Sequence, residues 1–168
     1  IAIKGMANGA KVLEGPVPDW KLFGYKDYGG GGSGTTYGLP RFERAEFTTK
    51  FPFASIELTD KDFPLKVTIE GWSPFIPTDE DNSSLPVGAL EYKFVNTGNE
   101  TIHAVFSFNS RNFVVQPDGV GVIKKMDKGF LLSQDKVEGK PVLKTDFAIF
   151  TNSDEEVVAD YCWFRGAW

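Results

Sequence analysis

This sequence predicts an all-β chain, folded as a large antiparallel two-sheet β-sandwich, and three observations point there. Polar and apolar residues alternate with period two, most cleanly in "PLKVTIEGW", where Leu65, Val67 and Ile69 fall on one side and Lys66, Thr68 and Glu70 on the other. No stretch of about a dozen residues sustains the 3.6-residue period of an amphipathic helix. Finally, 18 Gly and 10 Pro demand frequent turns, while 15 Phe spread along the chain suit strands. A length of 168 residues suits one domain, which can bury roughly two thirds of its unfolded surface without disulfide staples.

The elements follow in order. Residues 1–40 are irregular, with Pro16, Pro18 and many glycines breaking any period, and read as one or two short strands with long connections. "FPFASIELTD" alternates over Phe53, Ile56 and Leu58, and "PLKVTIEGW" is the clearest strand. "SPFIPTDEDNSSLPVG", with its prolines and its Asp, Asn and Ser cluster, is a long loop. "ALEYKFVNTGNETIHAVFSFNS" reads as a hairpin: Leu90, Tyr92 and Phe94 go out, Asn96–Asn99 turn, and Ile102, Ala104, Phe106 and Phe108 come back. "GVGVIKKMDKGFLLSQ" is a second hairpin turning at Asp127-Lys128-Gly129, and "DFAIFTN" and "EVVADYCWF" are final strands. The total is about eight to eleven strands at sandwich-like spacings.

Composition excludes several functions. A formal net charge of −5 with no basic stripe argues against nucleic acid as a partner. No run of apolar residues is long enough to span a membrane. Cys162 is the only cysteine, so no internal disulfide forms, and its apolar surroundings make it a small core residue. His103 is the only histidine and has no cysteine near it, so no zinc-type cluster assembles and no metal or cofactor is expected. Gly29-x-Gly31-x-x-Gly34 spells the dinucleotide fingerprint, yet Thr35-Thr36-Tyr37-Gly38-Leu39-Pro40 follows it. Those residues are poor material for the helix whose N-terminus would hold a pyrophosphate. A linker or a functional loop remains for the glycine run.

Paired carboxylates are the remaining route to chemistry, because glycosidases need an acid and a nucleophile or base. Asp79, Glu80 and Asp81 cluster in the proline-bounded loop, where a solvated turn explains them. Glu43 and Glu46 alternate with Arg41 and Arg44, as ion pairs at an edge would. Trp72 and Trp163 lie in apolar strand-like runs and are expected in the core. Taken alone, the residues read as a β-sandwich without catalytic machinery.

Several segments taken together add a resemblance. "GGGGSGTTYGLPRFERAEFTTKFPFASIEL", "DFPLKVTIEGWSPFIPTDEDNSSLPVGALEYKFVNTGNETI" and "CWFRGAW", in that order, resemble the N-terminal domain of glycoside hydrolase family 116. That family includes non-lysosomal glucosylceramidases and bacterial β-glucosidases. The most telling pieces are Phe51-Pro52-Phe53-Ala54, Trp72-Ser73-Pro74-Phe75-Ile76-Pro77, Asp81-Asn82-Ser83-Ser84-Leu85-Pro86 and Phe94-Val95-Asn96-Thr97. The resemblance implies a retaining glycosidase whose two carboxylates sit in a C-terminal helical (α/α)6 barrel, with the β-sandwich packed against it. Retention needs that pair about 5 Å apart, and no residue here matches either member, so residues 1–168 are expected to be a single non-catalytic sandwich domain lacking the barrel. The chain begins at Ile1 and stops among aromatic residues, whereas domain ends are usually polar, so a piece of a longer polypeptide is expected. The expected partners are the catalytic domain of the same polypeptide and a glycoside at the domain junction. Gly30, Gly31, Gly32, Arg41, Arg165 and Trp168 are the interface candidates, since glycine-rich turns reach neighbouring surfaces and Arg and Trp anchor interfaces. The competing expectation is a stand-alone carbohydrate-binding module using Trp20, Trp72 or Tyr37.

Overall fold

The computed structural model describes residues 1–19, 21, 37–117 and 119–159. Nine strands lie in these residues, all paired antiparallel: β1 (Ala2–Ile3), β2 (Arg44–Lys50), β3 (Phe53–Thr59), β4 (Leu65–Trp72), β5 (Ala89–Asn96), β6 (Ala104–Val105), β7 (Gly121–Met126), β8 (Gly129–Gln134) and β9 (Thr145–Phe150). The all-β antiparallel class therefore stands. The strands form three sheets rather than the two expected, in the orders β1-β6, β2-β3-β4-β5 and β7-β8-β9. The chain divides into two compact units, Ile1–Ser107 and Phe108–Trp168.

The first unit is built on the β2–β5 meander. Its registers put Ala45, Phe47 and Thr49 beside Leu58, Ile56 and Ala54, then Val67, Ile69 and Gly71, then Phe94, Tyr92 and Leu90, all on one side of the sheet. That side is the core side: Leu58 and Val67 are fully buried, with Phe42, Phe63 and Leu65 around them. Ile1, Ile3, Met6, Leu13 and Ile102 pack on this cluster, so the N-terminal segment and the β1–β6 ribbon form a second layer over one half of the sheet. Residues 12–14 run alongside 40–42 through Val12 N–H to Pro40 O (2.9 Å) and Phe42 N–H to Glu14 O (3.0 Å). Gly15 passes so close to β2 that a Cβ there would overlap the Ala45 methyl.

One expected hairpin is not formed. β5 pairs with β4, and the returning segment pairs through Ala104–Val105 with β1 instead. The alternation of Leu90, Tyr92 and Phe94 is real, but the chain then crosses over the sheet face. Phe106 lies on the rings of Tyr92 (centroids 4.6 Å) and Phe94 (5.4 Å). The loop 73–88 contains one helical turn, Glu80–Ser83, capped by Asp79, whose carboxylate accepts from the backbone N–H of Asn82 (3.0 Å). The Ser83 hydroxyl exchanges two hydrogen bonds with the Ile76 backbone, closing the loop.

The second unit is a three-stranded meander. β7 and β8 form the expected hairpin around Asp127-Lys128, and β9 follows from "DFAIF". Leu132 and Val114 are buried. Gln134, 1% exposed, has both ends of its amide satisfied: its oxygen accepts from Gln116 N–H (2.5 Å) and its nitrogen donates to Leu143 O (2.6 Å). "EVVA" has no strand; the remainder of that expected element, with Cys162 and Trp163, lies outside the described residues. Gly129, buried where β8 leaves the turn, has no room for a side chain: a Cβ would overlap Ile149 O and stand 2.7 Å from Phe150 Cα, both backbone atoms of β9. Gly129→Ala should therefore push β8 from β9 and destabilise the protein by about 1–3 kcal/mol. Urea unfolding of the variant measures that loss, and an unchanged midpoint would contradict it.

Candidate functional site

Two surface regions of the first unit collect chemistry-bearing side chains. One is a polar hollow of about 560 Å³ lined by Ala7, Asn8, Lys11, Arg41, Glu43, Asp60, Lys61 and Asp62. Three segments supply these residues: the N-terminal segment, the approach to β2 and the β3–β4 turn. Lys11 stands at its centre. Its Nζ donates to Asp60 Oδ2 (2.7 Å) and to the Arg41 carbonyl (2.9 Å), and lies 5.6 and 5.8 Å from the ring centroids of Phe63 and Phe42. Those two rings meet edge to face at 5.5 Å.

Asp60 also accepts from the backbone N–H groups of Asp62 (2.9 Å) and Glu43 (3.1 Å). Its side chain is 7% exposed, covered by these immediate partners at the edge of an open hollow. Removal from water pushes its pKa up; the Lys11 hydrogen bond, the Asp62 N–H, the Lys11 charge and the Glu43 N–H outweigh that and hold it below the usual carboxylate range. Around the rim, Lys61 pairs with Glu43 (3.3 Å), whose carboxylate raises the Lys61 pKa, and Arg41 pairs with Glu14. These charges are committed to one another. The cluster ties the N-terminal segment to the sheet, and it holds no nucleophile beside a base.

The second region is at the opposite end of the sheet. Phe51 and Phe75 meet edge to face at 4.7 Å while remaining exposed, and Phe53, Trp72 and Ile76 lie exposed near them in sequence. The Phe51–Pro52 peptide is cis. Trp72 corrects an expectation: it is 42% exposed, not a core residue. Its strand explains this, since Leu65, Val67 and Ile69 take the core side and Trp72 falls two residues beyond Glu70 on the other.

The expected site residues are placed as follows. Arg41 is described, with a side chain 12% exposed and turned to Glu14. Gly30, Gly31, Gly32, Arg165 and Trp168 lie outside the described residues, as does Trp20. Glu46 pairs with Arg44 (3.3 Å) on the sheet surface, and Asp79 is the helix cap, its pKa lowered by the hydrogen bonds from Asn82. His103 is exposed, with its carbonyl bonded to Lys4 N–H (2.8 Å). Among the described residues, no group of three His, Cys, Asp or Glu side chains could hold a metal ion, and no helix is long and apolar enough to cross a membrane. Sequence reasoning missed Lys11 and Asp60 altogether.

The family model described as "beta-glucosidase 2, glycosyl-hydrolase family 116 N-term" matches residues 3–165, nearly the whole chain. No curated protein matches.

The hollow itself makes a prediction. Asp60→Ala leaves the Lys11 ammonium and two backbone donors without their acceptor and should cost on the order of 2–3 kcal/mol. Because the folded-state pKa of Asp60 is depressed, its contribution is whole above the unfolded carboxylate pKa, about 3.9. It is lost as pH falls through the lower folded-state value. Thermal melts of wild type and variant should therefore differ by a constant margin from neutral pH down to about pH 5 and converge well below pH 4. A margin that grows on acidification would refute the assignment.

Proposed function

Because this chain belongs to the N-terminal domain family of glycosyl-hydrolase family 116, we propose that it is the non-catalytic β domain of a retaining β-glucosidase or glucosylceramidase-like enzyme. It packs on the helical catalytic domain of the same polypeptide and shapes the rim of its substrate site. The family match over residues 3–165 carries this reading. In a retaining glycosidase the bond-breaking pair is a carboxylic acid and a nucleophilic carboxylate about 5 Å apart. In the polar hollow and the 79–81 turn, Asp60, Glu43 and Asp79 are instead held by Lys11, Lys61 and Asn82. The chemistry is therefore assigned to the partner domain.

The sheet also offers a surface for that domain. The N-terminal layer covers only one half of its core side. On the other half Phe47 and Leu90 are 66% and 57% exposed, with Ile56 and Ile69 half-buried between them. A row of large apolar side chains on the core side of a sheet calls for a covering element. In this reading the glycine run with Gly30–Gly32, together with Arg165 and Trp168, reaches the domain junction, and Arg41, paired with Glu14, steadies the N-terminal layer that borders it.

An activity assay and two variants of the longer protein test the reading. The unaltered protein should release glucose from aryl β-glucosides. Phe47→Glu should loosen the junction, with kcat/KM falling about tenfold or more and faster proteolytic separation of the two domains. Deleting Gly30–Gly32 should raise KM for large glycosides more than for aryl glucosides. Unchanged kinetics and stability in both variants would remove the packing and rim roles.

A further inference from the structure

The side of the four-stranded sheet that faces away from the core is not uniform. At one end it is an ordinary solvated surface. Arg44 pairs with Glu46 there, Lys66 pairs with Glu57 at 2.7 Å, and Thr68 and Lys93 continue the polar rows. At the other end two aromatic residues stand directly opposite each other, Phe53 on β3 and Trp72 on β4, 46% and 42% exposed. The core lies on the opposite side, so packing does not require either ring. Beside Phe53 is a hollow of about 260 Å³ lined by Thr48, Lys50, Phe53, Ser55 and Glu70. Glu70 and Lys50 make no ion pair with any described residue. Glu91 is the register partner of Glu70, so two carboxylates face each other across the strands, an arrangement that costs stability.

We propose that this aromatic and acidic end of the sheet, centred on Trp72, Phe53 and Glu70, is a binding platform for a β-linked glucose oligosaccharide. A pyranose ring is itself two-sided: one face is a patch of C–H groups, and its rim carries hydroxyls that both donate and accept. The Trp72 and Phe53 rings offer flat apolar area at low entropic cost for the first. Glu70, Lys50, Thr48 and Ser55 supply acceptors and donors for the second. Hydroxyl donors from the sugar would also relieve the Glu70–Glu91 opposition. A protein partner fits less well, because the centres of protein interfaces are depleted in charged side chains, whereas here an unpaired Glu and Lys adjoin the rings. The hollow is smaller than pockets that enclose a ligand, so it takes one ring of a chain and leaves the next over Trp72. The choice of β-linked glucose rests on the β-glucosidase reading above; the platform rests on the sheet geometry.

Thio-linked cellotetraose, a glucan that glycosidases do not cleave, tests the platform on the intact protein by titration calorimetry and tryptophan fluorescence. The expected result is a site with a Kd of about 0.1–1 mM, weakened about tenfold or more by Trp72→Ala and by Phe53→Ala, and severalfold by Glu70→Gln. Both aromatic positions are exposed, and unchanged melting temperatures show that the variants remain folded. No binding to wild type, or binding indifferent to all three substitutions, overturns the proposal. Thio-linked maltotetraose binding equally well would overturn the β-linked choice. Hydrolysis of aryl β-glucosides by the unaltered protein is read separately, so a failed platform and a failed glycosidase reading give different results.

Discussion

The first unit depends on one ammonium group. Lys11 comes from an irregular segment with little reason of its own to adopt a single path, and its Nζ joins three parts of the chain distant in sequence. It holds the Asp60 carboxylate in the β3–β4 turn and the Arg41 carbonyl before β2, and it sits over the rings of Phe42 and Phe63. The ion pair alone would not justify this weight, because removing two charges from water offsets much of their attraction. The geometry matters because the Asp60 oxygens are also engaged by two further N–H groups. With that point fixed, Ile1, Ile3, Met6 and Leu13 reach the sheet and the second layer exists.

The four-stranded sheet then divides labour between its two sides. Its core side is closed at the Lys11 end by the N-terminal layer and left apolar at the Phe47 and Leu90 end. Its outward side is salt-bridged at one end and aromatic at the other. The proposed reading places its two contacts at these open ends, a neighbouring domain on the core side and a sugar chain on the outward side. The period-two geometry of strands is what lets a single sheet present such different chemistry on its two faces.

Much of this was legible in the sequence, and the failures are instructive. Alternation in Leu65–Trp72 identifies β4 and its faces, and it already contained the position of Trp72, which the apolar neighbours of that residue obscured. The Asp127-Lys128 turn gave the β7–β8 hairpin because two-residue turns join adjacent strands. Alternation could not say which strand is whose neighbour. The segment around Phe106 has strand-like periodicity, but its rings lie over the sheet face and its backbone joins β1. The charged hollow was invisible because Lys11 and Asp60 lie 49 residues apart, Lys11 in a segment with no period and Asp60 just past the end of β3. The family resemblance came from ordered short motifs and does not depend on any of these contacts.

The pairing of β1 with β6 joins Ala2–Ile3 to Ala104–Val105, the two ends of the first unit. During synthesis the N-terminal residues emerge first, and their strand partner is made about a hundred residues later. The β2–β5 meander, whose pairings are all local, can form while the chain is still being extended. Its core side is meanwhile covered only in part, because Ile102 and the strand that pairs with β1 have yet to be made. Closure comes only when residue 105 has cleared the ribosome, a late step of high contact order that leaves an apolar sheet face open to misassociation for as long as translation takes. Any pause in synthesis before residue 105 has emerged would lengthen that exposure, and a chain ended before it would lack the strand that pairs with β1.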